Sequence, residues 1–514
     1  MTAALPGLSL TAAPRRTEPE PLRTDVAALL GRTRRGPVGV PVRVESWPDA
    51  QRVLGPLDGG AATPYALHGF FENGGRTAWV VRVAGPGGTA GAMWTVGEPG
   101  GVDWPARAGF RYARYRVAAA SPGAWANNTR VSIRFRASSI AGPPALTVRV
   151  APPGEPAETF TGVRPADLVE ALAASRLVRL EPDGPPLPPG ATSPTGPLSA
   201  SWEVVLGAGA EQGSDAPPGP DDYRRAVEAM ADLPEPALVA LPDLAGDLGE
   251  PVRTAVVLEC LATVAALADR LVVLDVPEDD ADAALSWVDD LAAAGDPALL
   301  GAAAVYHPRL VVPDPAGGPG APTRAVPASG HVLGLVARLD AERGAHHTPA
   351  NAVLLDAVDL AVALPEPRQA RLFDAGVNLL RCAPGRGLRV WGGRTLATAP
   401  GRRYVAHRRL VHLLVRALRR VADPLVFDVN GPELRLALVR GVTSVLLEAF
   451  RSGALAGARA AEAFRVTCDD TTNPPGQDVA LVVCDVEVAP ATPMEFIRLR
   501  LVLGQDRGLE VIEA

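Results

Sequence analysis

From residue 24 onward the chain alternates between short apolar runs and longer stretches where apolar residues return every three or four positions. The runs at 237–241, 270–276 and 299–306 are rich in Val, Leu and Ala and lack alternation, as strands covered on both faces do. Between them, 223–230, 253–268 and 281–294 repeat at helical spacing, so 221–396 reads as an α/β layer around a largely buried sheet. Nearer the start, TDVAALLGRTRRGPVGVPVRVESWPDAQRVLG predicts a buried strand, a glycine turn, a second strand and a short helix. YALHGFFENGGR then predicts a helix stopped at Asn73-Gly74-Gly75, followed by a strand over 78–83. Glycine- and proline-rich joints at 85–101 and 182–198 bracket strand-like runs at 129–137 and 146–150, which points to an inserted β-rich subdomain at the periphery.

The last fifth has the sharpest pattern. A helix over 402–421 places Leu410, Leu414, Ala417 and Val421 on one side and Arg408, Arg409, Arg416, Arg419 and Arg420 on the other. A second helix begins near Pro432, carries Leu434, Leu438, Val442, Val445 and Ala449 on one face, and stops before Gly453. Three period-2 runs follow, at 464–468, 480–488 and 496–503, the first two joined by the turn-rich DDTTNPPGQ. The third run puts Ile497, Leu499, Leu501 and Leu503 on one face and Arg498 and Arg500 on the other. At the other end, residues 1–22 read as an extended arm in which Leu8 and Leu10 alternate and RRTEPEP stays solvated.

Composition narrows the function more by exclusion than by assignment. At 514 residues the chain has room for two to four domains, and 52 Gly with 52 Pro make loops plentiful. It contains no lysine, so its cations are arginines, and the net charge of −7 argues against a general nucleic-acid binder. A phosphate-cradling loop needs a lysine, PGRGLRV has Val390 where a third glycine belongs, and neither G-x-S-x-G nor HExxH occurs. His346 and His347, as neighbours, should diverge on a regular element, and His407 and His412 are badly spaced for one metal. Glu72 with Arg76 could be a catalytic pair, though a helix cap and an ion pair explain them more simply. Asp243 and Asp275 follow strands, where catalytic acids sit but capping aspartates sit far more often. The four cysteines form no CxxC. Cys468 and Cys484 fall on the apolar faces of consecutive strands, as buried free thiols or as a disulfide in an oxidising compartment. The first residues lack the pattern of a signal peptide, and no apolar window is long enough to span a membrane.

Several phrases carry a family likeness. FDVNGPELR, FRSGALAG, AEAFRVTCDDTTNP and VEVAPATPMEFI resemble the C-terminal domain of contractile tail sheath proteins, the sleeves of contractile phages and of phage-derived injection particles. FFENGGR with VVRV, SPGAWANNTRVSI, VPASGHVLGLVARLDAERGAHHTPANAVL and DAGVNLLRCAPGRGLRVWGGRTLA resemble further blocks of that family in the same order. With the pattern above, the resemblance implies an α/β (α+β multidomain) protein: an arm (1–22), a core in two parts (23–85 and 206–400), the β-rich insertion (86–205), a two-helix plus small-sheet C-terminal domain (401–495) and a closing strand (496–514). It implies a structural protein with no catalytic group, cofactor or metal. Copies would polymerise as stacked hexameric rings around an inner tube and contract to drive the tube through a target envelope. The implied partners are further copies of the chain, the inner tube protein, and baseplate and terminal cap proteins, without nucleic acid or membrane insertion. Assembly is expected in the bacterial cytoplasm, within a phage tail or phage-tail-like particle. Because the family's C-terminal domain lines the sleeve's inner wall, the resemblance gives Arg408, Arg409, Arg416, Arg419 and Arg420 a contact with the tube. It gives Leu8, Leu10, Ile497, Leu499 and Leu501 to strand exchange between neighbouring subunits. The rival from another class is an α/β hydrolase or transferase with an unrecognised site.

Overall fold

The computed structural model describes residues 22–96, 113–136, 145–164, 167–183, 199–209, 211–425, 430–474, 476, 481–491, 497–504 and 508–513. The chain begins with β1 (Ala27–Gly31), β2 (Val42–Val44), α1 (Trp47–Leu54), α2 (Thr63–Glu72) and β3 (Ala78–Arg82). Next come β4 (Gly91–Val96), β5 (Ala113–Ala119), β6 (Arg130–Arg136), β7 (Ala145–Ala151), β8 (Glu158–Val163), α3 (Leu168–Ala173), β9 (Val178–Pro182) and β10 (Ser199–Val205). The chain continues with α4 (Pro220–Ala231), β11 (Leu238–Ala240), α5 (Leu244–Asp247), α6 (Val252–Leu267), β12 (Leu271–Asp275), α7 (Ala281–Ala294), α8 (Pro297–Leu300) and β13 (Ala303–His307). Then follow β14 (Leu310–Pro313), β15 (Thr323–Val326), α9 (Ser329–Arg343), β16 (Asp359–Leu360), α10 (Glu366–Asp374), β17 (Val377–Ala383) and β18 (Gly387–Trp391). The last elements are α11 (Val405–Ala422), α12 (Pro432–Arg451), α13 (Ala460–Ala463), β19 (Phe464–Thr467), β20 (Leu481–Val488), β21 (Ile497–Gly504) and β22 (Gly508–Glu513).

An eight-stranded sheet in the order β18-β17-β13-β12-β11-β1-β3-β2 forms the body, parallel except at its two edge strands. Its strands are apolar throughout because both faces are covered. Ala28 and Leu30 of β1, with Val272 and Leu274 of β12, pack under α4, α6 and α7. The alternate residues Ala27, Leu29, Leu271 and Val273 pack under α2 and α9 on the other side. One predicted boundary moves. The apolar run from 299 does not start as a strand, because Asp296 accepts from the Ala298 amide and Pro297 opens the short α8, so β13 begins at Ala303.

Between β3 and α4, the strands form a three-stranded sheet (β4-β5-β9) and a four-stranded sheet (β10-β6-β7-β8). They enclose their own core of Trp94, Tyr115, Trp125, Ile133, Val148 and Leu168, among others. The body meets this unit through ion pairs from Arg35 and Arg34 to Glu155, the latter at 3.2 Å, and through Arg82. The Arg82 guanidinium donates to the carbonyls of Thr33, Gly36 and Pro122.

At the C-terminal end, α11 and α12 pack through Leu410, Leu414, Leu418, Leu438, Val442 and Leu446 onto a sheet of order β19-β20-β21-β22. The fourth strand, β22, escapes the sequence pattern, which ends at residue 503. GLEVIE is short and its apolar pair Val511-Ile512 breaks the alternation.

Candidate functional site

In the parallel sheet β1 is the pivot, with β3 on one side and β11 on the other. A crevice opens at the carboxyl ends of strands where the winding reverses, and open α/β sheets commonly bind ligands there. Here the chain fills it with its own carboxylate. Asp243, just after β11, accepts from the backbone amides of Arg32 (2.9 Å), Ala62 (2.6 Å) and Thr63 (3.1 Å) and from the Thr63 hydroxyl (2.6 Å). The Ala62 and Thr63 amides are free N–H groups at the start of α2, where a ligand's phosphate would otherwise bind. Replacing Asp243 with Ala should therefore unfold rather than inactivate. A loss of about 3–5 kcal/mol is expected from the stranded buried donors, read as a lower denaturation midpoint. Stability within about 0.5 kcal/mol of the parent would show that water replaces the carboxylate at little cost.

Asp275, at the end of β12, caps α9 through the Ser329 amide at 2.8 Å, and burial pushes its carboxyl up to about 6. Asp247 rises to about 6 for the same reason, although the Tyr223 hydroxyl at 2.7 Å and Arg32 at 2.9 Å oppose the shift. Both strand-end aspartates named from the sequence are thus capping groups. The Glu72–Arg76 pairing is not what forms: Glu72 lies 3.9 Å from His68, and Arg76 is exposed. The cap of α2 is made instead by Asn73, whose side chain bonds the Gly69 carbonyl and both backbone groups of Leu355.

The histidines also differ from expectation in one respect. His346 and His347 lie in a turn after α9 rather than on a regular element, and their rings approach to 4.3 Å instead of diverging. They line a cleft of about 840 Å³ with Trp391, Tyr404, His407 and Ala454, between the body and the C-terminal helices. Among the described residues its lining holds three histidines, Tyr404 and Arg394 but no carboxylate. Among the described residues no cluster of three metal-ligating side chains occurs.

The arginine row of α11 requires a correction. The wheel puts it on a polar side, and the resemblance gives it a contact with the tube, both of which need it on the outside of the chain. In the structure Arg409, Arg416 and Arg419 face inward, along the amino-terminal edge of the sheet. Arg409 donates to the Thr24 carbonyl (2.8 Å) ahead of β1 and pairs with Asp340 of α9. Arg416 donates to the carbonyls of Arg23 (3.2 Å), Glu235 (2.9 Å), Pro236 and Asp269 (3.1 Å), ahead of β1, β11 and β12. Arg419 reaches the Leu267 carbonyl (2.7 Å) and the Asp269 carboxylate (3.2 Å). Arg408 is buried and Arg420 is half-buried. The physical reason is that loops entering a buried sheet leave carbonyls without partners, and the five donors of a guanidinium satisfy several at once. His412 sits among Arg408, Arg409, Arg416 and Arg270, and burial with those cations holds it far below the ordinary histidine range. Asp269 and Asp340, the anions that anchor the row, were not singled out from the sequence. Asp269 directly precedes a strand and Asp340 lies inside a helical repeat, so only their partners give them away.

The exchange residues divide in two. Leu8 and Leu10 lie outside the described residues. Ile497, Leu499 and Leu501 belong to β21, which pairs antiparallel with β20 of the same chain, from Val488↔Ile497 to Leu481↔Gly504. The hairpin of 464–468 and 480–488 is therefore not left two-stranded in the single chain.

This architecture has known counterparts. Residues 218–396 match the family profile described as the phage tail sheath protein central domain. No curated protein gives a significant sequence match. Among solved structures, the sheath tail protein from Listeria innocua aligns with a TM-score of 0.65 at 14% identity, over 94% of this chain and 95% of that one. The sheath tail protein from Desulfitobacterium hafniense gives 0.59 at 16%, over 97% and 100%. The helical sheath of the anti-feeding prophage in its contracted state gives 0.52 at 21%, over 96% and 98%. Residues 218–396 are thus similar to the phage tail sheath central domain, and the chain shares the fold of sheath proteins along nearly its whole length.

Proposed function

We propose that the chain is the sheath subunit of a contractile injection machine. Copies assemble as stacked hexameric rings around an inner tube, between a baseplate and a terminal cap, and shorten to drive the tube into a target envelope. The observation that carries this reading is the shared fold over 94–97% of the chain with sheath proteins, one of them taken from a contracted sheath. The self-filled crevice at Asp243 supports work by packing rather than by chemistry. In this reading 23–85 and 206–400 form the wall, 86–205 lies at high radius, 401–495 faces the tube, and assembly takes place in the bacterial cytoplasm. Electron microscopy of the purified chain expressed with its tube protein tests it. Tubular polymers are expected, and discrete particles under all assembly conditions would overturn it.

The ends of the chain link neighbours. The ladder that β21 makes on β20 can be made equally by the β21 of an adjacent copy, because the connecting APATP is broken by prolines and strand addition recognises backbone rather than sequence. Among the described residues strand β19 pairs only with β20, and its other edge is the place for an arm carrying Leu8 and Leu10. Deleting residues 1–20 should leave folded subunits that cannot extend into long sheaths. Ending the chain at Pro493 should do the same, but it also uncovers the β20 edge, so the first truncation is the cleaner. Tubes of parental length from the first variant would show that the bodies alone hold the sleeve together.

A further inference from the structure

Two of the four cysteines face each other across a β-ladder. Strands β19 and β20 pair antiparallel with Val466 opposite Val486 and Thr467 opposite Asp485, and the next position of that register sets Cys468 opposite Cys484. Directly opposed residues of an antiparallel pair have Cα atoms about 4.5–5.5 Å apart, within the range a disulfide spans without backbone movement. The two thiols are close enough to shift one another's titration in opposite directions. Both are reduced here, Cys484 fully buried and Cys468 half-buried.

The surroundings hold this geometry in place. Asn473, 4% exposed, accepts from the Val483 amide (2.7 Å) and donates to the Val483 carbonyl (2.8 Å), so the loop after β19 is tied to β20 beside the pair. The two thiols also differ in reactivity. The Cys484 thiol, with the Arg435 cation and the Asn473 amide behind it, holds Cys468 below the ordinary thiol range. Cys468 and burial push Cys484 up. The other two cysteines stand elsewhere: Cys260 is buried in α6, and Cys382 is exposed on β17.

We propose that Cys468 and Cys484 are a disulfide-forming site, with Cys468 the attacking thiol and Cys484 the resolving one, closed by a small disulfide oxidant such as oxidised glutathione. The Cys468 thiolate attacks one sulfur of the oxidant, forms a mixed disulfide and releases one glutathione thiolate. Cys484 then gives up its proton and attacks the Cys468 sulfur. The Cys468–Cys484 bond forms and the second glutathione leaves. Overall, two protein thiols are oxidised and one glutathione disulfide is reduced to two glutathiones. The product staples β19 to β20 across the base of their loop. The inference rests on the sheet geometry and is independent of the assembly reading above.

The test uses the full chain with Cys382→Ser, which removes the exposed thiol. After exposure to oxidised glutathione, then denaturation and thiol titration, three free thiols should fall to one. A non-reducing digest should yield a peptide joining Cys468 to Cys484, and dithiothreitol should restore all three thiols. In the same background, Cys484→Ser should stop at a glutathione adduct on Cys468, whereas Cys468→Ser should leave Cys484 unmodified. Three thiols persisting in the parent background, or a bridge that involves Cys260, would overturn the assignment. Adduct formation on Cys484 in the Cys468→Ser variant would overturn the order of attack.

Discussion

Replacing Gly334 with alanine is expected to destabilise the α/β body by about 3 kcal/mol or more, and Gly330→Ala should do at least as much harm. Helices α2 and α9 cross where these glycines lie. A Cβ on Gly334 would sit 2.2 Å from the Phe70 carbonyl oxygen, and one on Gly330 would sit 2.1 Å from the Ala66 carbonyl oxygen and 2.3 Å from its Cα. The obstructing atoms are backbone, so no rotamer change relieves them and the helices must separate. Separation opens the layer that Leu67, Phe70, Val332, Leu333 and Val336 share with the sheet. Helix propensity works the other way, since alanine is better than glycine in a helix by about 1 kcal/mol, but that gain is smaller than the overlap penalty. A control separates the two effects. Gly246 in α5 has nothing within 4 Å of its would-be Cβ, so Gly246→Ala should be neutral or slightly stabilising. The quantity to measure is the denaturation midpoint of the body. If Gly334→Ala unfolds with Gly246→Ala, the close crossing is not what holds α2 against α9.

This crossing shows where sequence reasoning stops. GHVLG sits inside a run read as helical, and nothing local distinguishes glycines set for close approach from glycines that weaken a helix. The buried strands and the helices around them were legible, because a sheet covered on both faces demands unbroken apolar runs and its helices demand a 3.6-residue stripe. The capping roles of Asp243 and Asp275 were legible too, since strand ends and helix starts sit side by side in such a layer. What failed depended on partners far along the chain. The helical wheel correctly grouped the five arginines of α11 but could not say what faces them. Arg409 meets Thr24 and Asp340, and Arg416 meets carbonyls at 23, 235, 236 and 269. Adjacent histidines diverge only on regular structure, and the turn after α9 removes that premise for His346 and His347. The last strand was missed because a six-residue segment with two adjacent apolar residues gives a weak period.

The inward arginine row changes what charge reversal on α11 should do. On the outside of the protein, Arg409→Glu with Arg416→Glu would weaken a partner contact and leave the fold alone. With the row seated under the sheet, the double variant should fail to fold or should lose the docking of the C-terminal module. Arg409 and Asp340 are 2% and 4% exposed, so each is the other's compensation in a low-dielectric site. Burial already pushes the Asp340 carboxyl up despite the arginine. Removing only the cation strands that carboxylate, and breaking a buried pair from one side costs about 3–5 kcal/mol. Arg409→Met alone should therefore lower the denaturation midpoint sharply. Adding Asp340→Leu should recover much of the loss, because an apolar pair leaves no unpaired charge, although the Thr24 carbonyl still lacks its donor. Arg416 behaves differently, since it holds five carbonyls, that of Pro234 included, and shares its anion, Asp269, with Arg270 and Arg419. Its desolvated guanidinium is drawn down to about 10, and Arg416→Met should cost comparable stability that no second substitution restores. Limited proteolysis gives the complementary readout, with cleavage before α11 expected to increase in both single variants. Parental stability and parental protease resistance in the double Glu variant would mean that the row is held by solvent, and the outward, partner-facing reading of α11 would return.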